Sequence, residues 1–275
     1  MPCIRAQLQR AVQQLPQSQP HLEAQLLLCQ ATGWSRTHLL AWPERTLSPQ
    51  QQADFQALIQ RRCAGEPIAY LRGQQSFWTL DLLVTPATLI PRPETELLVE
   101  IALEILPERA SLPIADLGTG SGAIAAALAA ERPRWQLLAL EREVDALAIA
   151  TQNFRRYRLG NVAPLQAHWL EPIGPARLQG ILSNPPYIPQ GDPHLQALRY
   201  EPSQALVAGA DGLQAIRQIL IQAPSRLVSG GLLALEHGFD QGAAVRALFQ
   251  RAGFSQIETR RDLSGQPRVT LGFRP

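Results

Sequence analysis

Residues Pro113–Leu128 read PIADLGTGSGAIAAAL, and this stretch decides the fold. Its first five residues form a short apolar run interrupted only by Asp116, the pattern of a buried strand. Gly118, Gly120 and Gly122 then let the backbone turn tightly and approach a ligand closely. From Ala123 the chain is rich in alanine, the best helix former. Strand, glycine loop and helix in that order are the opening unit of a parallel α/β sheet.

The alternation continues downstream. Strands are predicted at 113–117, 136–141, 162–167, 181–184 and 232–236, and helices at 123–131, 145–158, 211–229 and 241–252. Strands alternating with helices imply an α/β fold with a mostly parallel, Rossmann-like sheet covered on both faces. SQIETRRD (255–262) and RVTLGF (268–273) flank the turn Ser264-Gly265, so the chain closes with an antiparallel hairpin. Upstream, FWTLDLLVTPATLIP (77–91) reads as two short strands around Thr85-Pro86. A helix is expected from Pro93, with Leu97, Leu98, Ile101 and Ile105 on one side. Residues 188–210 form a long irregular loop, of the kind that carries function in compact domains.

Residues 1–72 lack any strand pattern. Leu22, Leu26 and Cys29 repeat at helical spacing before Gly33, and Ser48-Pro49-Gln50-Gln51 provides an N-cap, a first-turn proline and a capping-box glutamine. That helix carries Phe55, Leu58 and Ile59 inward and stops before Gly65. Seven arginines against four acids give this segment a net charge of +3. The organisation expected is a helical bundle over 1–72, a linker with a β-hairpin over 73–92, and the α/β domain over 93–275. The bundle is either a packing appendage or a docking module.

Composition narrows the function. With 45% hydrophobic residues among 275, the chain can build a sizeable core. The net charge of +2 contains no like-charge block suited to direct nucleic-acid binding. All 25 basic residues are arginine, a bias without a physical explanation. No segment resembles a signal peptide or reaches the roughly 18 apolar residues of a membrane span, which points to the cytoplasm. Cys3, Cys29 and Cys63 are mutually isolated and fit no zinc spacing, so metal catalysis is not expected.

Ligands of such sheets bind at the carboxyl ends of the strands, near the switch in strand order. The glycine loop Gly118-Thr119-Gly120-Ser121-Gly122 also fits a dinucleotide fingerprint, with Glu141 at the distance of a ribose ligand. Asp116 favours a different ligand. A carboxylate two residues before the loop would repel a pyrophosphate, yet attract the ammonium and sulfonium of S-adenosylmethionine. The nicotinamide reading stays open but weaker, as does a merely capping role for Asp116. Glu141, ending LLALE, could accept from both ribose hydroxyls. In LQAHWLEP, Trp169 could stack on an adenine or simply be core.

The second motif is ILSNPPYIP, Ile181–Pro189. Pro185 and Pro186 must end the strand, since they lock φ and donate no hydrogen bond. An amide nitrogen is a poor nucleophile because its lone pair is delocalised. An enzyme that methylates it should hold both N–H groups on acceptors. The Asn184 side-chain oxygen and the stiffened Pro185 carbonyl supply two, and Tyr187 contributes a ring against a planar group. Catalysis is then positioning and electrostatics, with no strong general base.

DLGTGSGAIA, SNPPYI and LIPRPETELLVE together resemble the HemK/PrmC protein-(glutamine-N5) methyltransferases, which modify peptide-chain release factors. EAQLLLCQATG, GEPIAYLRG, YEPSQALVAGADGL and LLALEHGFDQG extend the resemblance over nearly the whole chain. The NPPY motif alone is shared with nucleic-acid amino-methyltransferases; its combination with IPRPETE is the specific feature. The resemblance implies a class I S-adenosylmethionine-dependent fold. It implies that Gly118 to Gly122, Glu141, Trp169 and Asn184 contact the donor, that Asn184 to Tyr187 (Pro185 and Pro186 included) hold the substrate glutamine, and that Pro91–Glu96 lies near the donor. The substrate implied is the glutamine of the Gly-Gly-Gln loop of class-one release factors, the product S-adenosylhomocysteine, and the bundle helps to dock the factor. The family usually has aspartate where this chain has Glu141, and commonly where it has His168, so His168 is left out of the site. Alternatives are a ribosomal-protein glutamine methyltransferase, a nucleic-acid amino-methyltransferase and a catalytically silent binding module.

Overall fold

Glu23 is the least expected residue in the interior of the first unit. The computed structural model describes residues 3–16, 19–108 and 111–275, and divides the chain into Met1–Gln74 and Gln75–Pro275. Among the described residues the first unit has the helices α1 (Ile4–Gln14), α2 (Pro20–Thr32), α3 (Arg36–Ala41), α4 (Pro49–Cys63) and α5 (Ile68–Arg72). Ser48 and Gln51 form the expected capping box, each side chain bonded to the other's backbone N–H. Phe55 and Ile59 of α4 meet Leu27 and Leu28 of α2 in one core. The buried face of α2 is Glu23, Ala24, Leu27 and Leu28, while Leu22, Leu26 and Cys29 are half-buried. A run of three leucines leaves two apolar stripes to choose from. Arg62 favours this one, because its guanidinium binds both Glu23 oxygens, at 2.8 and 3.0 Å.

From the last residue of the first unit the chain continues into a hairpin of β1 (Gln74–Phe77) and β2 (Leu80–Leu83). Its turn is Trp78-Thr79 rather than the expected Thr85-Pro86. Trp78 takes a left-handed φ of 54°, and its N–H donates to Glu96 at 2.7 Å. A tertiary contact therefore overrides the local turn signal. The helix expected from Pro93 begins as a 3-10 turn, Pro93–Thr95, and continues as α6 (Glu96–Ile105). It buries Leu98, Val99, Ile101 and Ala102, and leaves Leu97 and Ile105 half-buried.

Strands and helices then alternate: β3 (Pro113–Leu117), α7 (Ala123–Glu131), β4 (Gln136–Glu141), α8 (Val144–Arg156), β5 (Val162–Gln166), β6 (Leu178–Ser183), α9 (Gln214–Arg226), β7 (Leu227–Glu236) and α10 (Gly242–Arg251). The chain ends in the antiparallel pair β8 (Ser255–Arg261) and β9 (Pro267–Phe273). Strand order is β5-β4-β3-β6-β7-β9-β8, parallel from β5 to β7 and antiparallel beyond. Successive strand residues feed opposite cores. Leu182 and Leu232 pack on one face with α6 and α7; Ile181 and Leu233 pack on the other with α9 and α10. Helix α7 is apolar all round and buried from Ala123 to Ala129, as a helix enclosed by its neighbours must be.

The order reverses between β3 and β6. The chain runs outward from β3 through β4 to β5, then returns to place β6 on the other side. The loops after β3 and β6 therefore open into the crevice where ligands of such sheets bind. The loop after β3 depends on Gly122, whose φ is 84°. A Cβ there would stand 2.7 Å from the Phe154 ring. Gly122→Ala should therefore lose about 3 kcal/mol, from the left-handed backbone and the overpacking together. Gly160→Ala, where a Cβ meets nothing within 4 Å, should melt close to the parent in calorimetry.

Candidate active site

A cavity of about 340 Å³ lies at the carboxyl ends of the parallel strands, within the range of roughly 300–1,000 Å³ for small-molecule sites. Gly118 and Gly120 line it after β3, Glu141 to Glu143 after β4, His168 and Trp169 after β5, and Asn184 and Pro186 after β6. Its remaining walls come from residues 87–89, from the loop between 202 and 208, and from the first turns of α9.

The glycine loop is pinned at both ends. Gly118 and Thr119 donate to the Leu140 carbonyl at 2.8 and 3.0 Å, and Gly122 donates to Thr119 at 2.8 Å. Below it, Asp116 is 1% exposed. Its Oδ2 accepts from the Thr119 hydroxyl at 2.5 Å and from the Ala125 N–H, in the first turn of α7, at 3.1 Å. Its Oδ1 is buried without a hydrogen-bond partner. Desolvation by burial pushes this carboxyl up to about 6, against the pull of those two hydrogen bonds. Asp116 thus both caps α7 and leaves one oxygen unanswered by the protein.

Glu141 bridges the loop and its own turn. Oε2 accepts from the Gly120 N–H at 3.0 Å, and Oε1 accepts from Arg142 and Glu143 N–H at 2.8 and 3.0 Å. Trp169 is held by its indole N–H on Gln218 Oε1 at 3.0 Å, and its ring edge lies 3.6 Å from where a Gly118 Cβ would be. A side chain at Gly118 would be disfavoured by the left-handed φ of 66° rather than by that ring. His168, set aside on sequence grounds, stands in the wall beside it, with Nδ1 3.2 Å from Glu171 Oε1.

On the acceptor side, Ser183 ties the two loops together: its hydroxyl donates to the Leu117 carbonyl at 2.7 Å. Asn184 Nδ2 donates to Thr95 Oγ1 at 3.0 Å, and the Thr95 hydroxyl donates to Glu236 Oε2 at 2.7 Å. Tyr187 OH donates to the other oxygen of Glu236 at 3.2 Å. Thr95 and Glu236 are 4% and 1% exposed. Burial pushes the Glu236 carboxyl up to about 7 and also raises the Tyr187 phenol. Glu201 accepts from the Ile90 N–H at 3.0 Å and pairs with Arg92, fastening the 188–210 loop to the PRPETE segment. That loop is further ordered by an Ile188–Val207 bridge and the 3-10 turns Pro193–Gln196 and Ser203–Ala205.

Of the residues singled out from sequence, Gly118, Gly120, Glu141, Trp169, Asn184 and Pro186 meet in the cavity wall. Asp116, Thr119, Ser121 and Gly122 are buried support for the loop, and Pro185 and Tyr187 do not line this cavity. Thr95 falls in the Pro91–Glu96 segment expected near the donor, but its bond to Glu236 and the part played by Glu201 were not foreseen. PETE and LLALEHG are legible as motifs, but no spacing rule pairs them. The arrangement fits an adenosyl methyl donor: a glycine cradle, an aromatic flank, a carboxylate at the neighbouring strand end and an unpartnered buried Asp116 oxygen.

Over nearly its whole length the chain is similar to known proteins. Residues 6–73 match the family described as PrmC N-terminal domain, and residues 94–211 match the Methyltransferase small domain. The Release factor glutamine methyltransferase of Pseudomonas aeruginosa is 51% identical over 94% of this chain and 95% of its own length. The Escherichia coli protein of the same name is 48% identical over 96% of both. The crystal structure of a methyltransferase from Pyrococcus furiosus superposes on 81% of this chain and 98% of its own, with a TM-score of 0.54 at 18% identity. At that identity it speaks for the fold alone, a class I methyltransferase fold.

Burial of Asp116 sets a pH dependence. The folded pKa lies above the ordinary 3.8, so folding favours the protonated form. Its contribution to stability is complete below about pH 4 and is lost as pH rises towards 6, about 3 kcal/mol in all. Asp116→Asn keeps an oxygen for both Oδ2 hydrogen bonds and removes the charge. In denaturant titrations its stability relative to the parent should rise between pH 4 and 6 and level off above.

Proposed function

The chain belongs to the release factor glutamine methyltransferase family, and we propose that it transfers a methyl group from S-adenosylmethionine to the side-chain amide of the glutamine in the Gly-Gly-Gln motif of class-one release factors. The observation that carries this reading is the common cavity wall of Gly118, Gly120, Glu141 and Asn184, which puts a donor cradle beside an amide-binding turn.

S-adenosylmethionine supplies an electrophilic methyl carbon on a sulfonium; the protein's task is to hold two partners in line. Gly118 to Gly122 would cradle the donor with Thr119 and Ser121 supporting the loop, Trp169 would flank its adenine, and Asp116 would balance its positive charge. Glu141 has about four acceptor sites, of which three are taken by backbone N–H groups, so one remains for a ribose hydroxyl. Asn184 Oδ1 and the Pro185 carbonyl would accept the two N–H groups of the glutamine amide, turning its lone pair toward the methyl carbon. Pro186 keeps that carbonyl fixed, and the Tyr187 ring would support the amide plane. No general base is needed, because the alkylated nitrogen loses its proton readily. The contribution to rate is orientation and preorganised hydrogen bonding.

The bundle over residues 1–72 would dock the release factor. Leu40 and Trp42 are exposed on it at 65% and 52%, and a net charge of only +3 is too weak for phosphate contacts to carry recognition, which would rest on shape. On this reading the protein would work in translation termination, in the cytoplasm, without direct nucleic-acid binding. Among the described residues no helix is long and apolar enough to cross a membrane.

The deciding assay offers labelled S-adenosylmethionine with release factor, ribosomal proteins or DNA; label should appear in the release-factor glutamine. Label only on ribosomal protein or DNA would overturn the substrate assignment. Asn184→Ala should lower kcat on release factor about a hundredfold to a thousandfold, as loss of one preorganised hydrogen bond does. Donor affinity by calorimetry should change far less. Turnover near the parent rate would reduce the Asn-Pro-Pro-Tyr turn to a strand exit. Deleting residues 1–72 should raise KM for intact release factor while donor binding persists, and an unchanged KM in a folded truncation would remove the docking role.

A further inference from the structure

An asparagine amide is nearly symmetric in shape, so nothing steric decides which end faces the substrate; hydrogen bonds decide it. At Asn184 the correct end matters absolutely. With Oδ1 toward the glutamine amide it accepts an N–H, whereas with Nδ2 there two donors face each other. We infer that Glu236, acting through the Thr95 hydroxyl, is the positioning residue that fixes the Asn184 amide with its oxygen toward the substrate. This rests on the glutamine-methylating reading of the site.

The direction of each bond follows from the end of the chain. A carboxylate only accepts, so Thr95 donates its single hydroxyl proton to Glu236 Oε2 at 2.7 Å. The Thr95 oxygen then has only lone pairs left for Asn184 and can accept only from Nδ2, at 3.0 Å. Oδ1 is left on the opposite side of the amide. The second Glu236 oxygen accepts from Tyr187 OH at 3.2 Å, so one carboxylate orients both ends of the Asn-Pro-Pro-Tyr turn. Thr95 and Glu236 are 141 residues apart, and both are buried where water cannot substitute for either bond.

The relay needs the ionised form of Glu236. A protonated carboxyl could donate to Thr95, free its hydroxyl to rotate and release the amide. Burial favours that form, and Glu94 adds to it by repulsion. Arg268, from β9, opposes it. His237, next in the chain, is kept below its ordinary pKa by burial, with its ring nitrogens on Gly238 O and Thr270 Oγ1, and adds no positive charge at neutral pH. Tyr187 remains a neutral donor. The group therefore titrates at about 7, with the competent form above it.

Thr95→Val keeps the shape and deletes the relay, whereas Thr95→Ser keeps the hydroxyl. On release factor, Thr95→Val should lower kcat about tenfold to a hundredfold, the scale of a small misplacement at the reacting group. KM and donor affinity should hold, and Thr95→Ser should recover most of the loss. The parent kcat should fall as pH drops through about 7, and Glu236→Gln should lack that limb. A Thr95→Val kcat equal to the parent's, or equal losses in the valine and serine variants, would overturn the inference. A readout without substrate separates this from the functional reading. The ¹³C titration of the Glu236 carboxyl should shift upward by about one unit in Thr95→Val, since a donor to the carboxylate is lost. An unchanged midpoint refutes the relay even if no release factor is methylated. A shifted midpoint with an inactive parent supports the relay and refutes the substrate.

Discussion

Parallel pairing of β3 with β6 is the constraint on which everything else depends. Asp116 lies opposite Leu182 and Leu117 opposite Ser183, so the two strands end level. The Ser183 hydroxyl on the Leu117 carbonyl locks that register at its last residue. A slip of one residue would turn Leu182 out of its core and Ile181 into the wrong one. It would also separate the glycine loop from Asn184. The outer strands extend the same row: Glu141 closes β4 on one side and Glu236 closes β7 on the other. The site is a line of strand ends, and side-chain precision is inherited from backbone ladders.

Two buried acids stand in that row, and both are held well above the ordinary carboxylate range by desolvation. Neither is a good choice for stability alone. Each is tolerated because local donors answer most of its acceptors: Thr119 and Ala125 for Asp116, Thr95 and Tyr187 for Glu236. The two differ in what is left over. Glu236 has both oxygens engaged by the protein, whereas Asp116 keeps one with no partner. A closed network suits a group that orients others, and an open valence suits a group that meets a ligand.

Sequence reasoning succeeded wherever signals are local. Strand β3, helix α7 and strand β4 fall at the positions expected from apolar runs and glycines, and Ser48 caps α4 as its motif requires. It failed where a distant residue decides. The β1–β2 turn is at Trp78 because Glu96 receives its N–H, and α2 presents Glu23 inward because Arg62 waits there. The site shows the same division. Gly118, Glu141 and Asn184 are legible from their strand-end positions. His168 was excluded by comparison with a family pattern and yet lines the cavity, because a wall position follows from the backbone and not from the side chain. Thr95 and Glu236 lie in recognisable motifs, but nothing local pairs them across 141 residues.

The long separations across the acceptor side bear on how the molecule folds. The bonds that hold the glycine loop are close in sequence: Gly120 and Glu141 are 21 residues apart, Asp116 and Ala125 only nine. On the acceptor side Asn184 reaches back 89 residues to Thr95, Arg92 pairs across 109 with Glu201, and Thr95 across 141 with Glu236. Closing such loops costs entropy that is recovered only when β7 joins the sheet. The glycine loop can therefore organise early and cheaply, whereas the supports of Asn184 arise only with the completed domain. A chain arrested before β7 joins would have its glycine loop but no fixed Asn184 amide, so the geometry of that turn waits for the whole sheet.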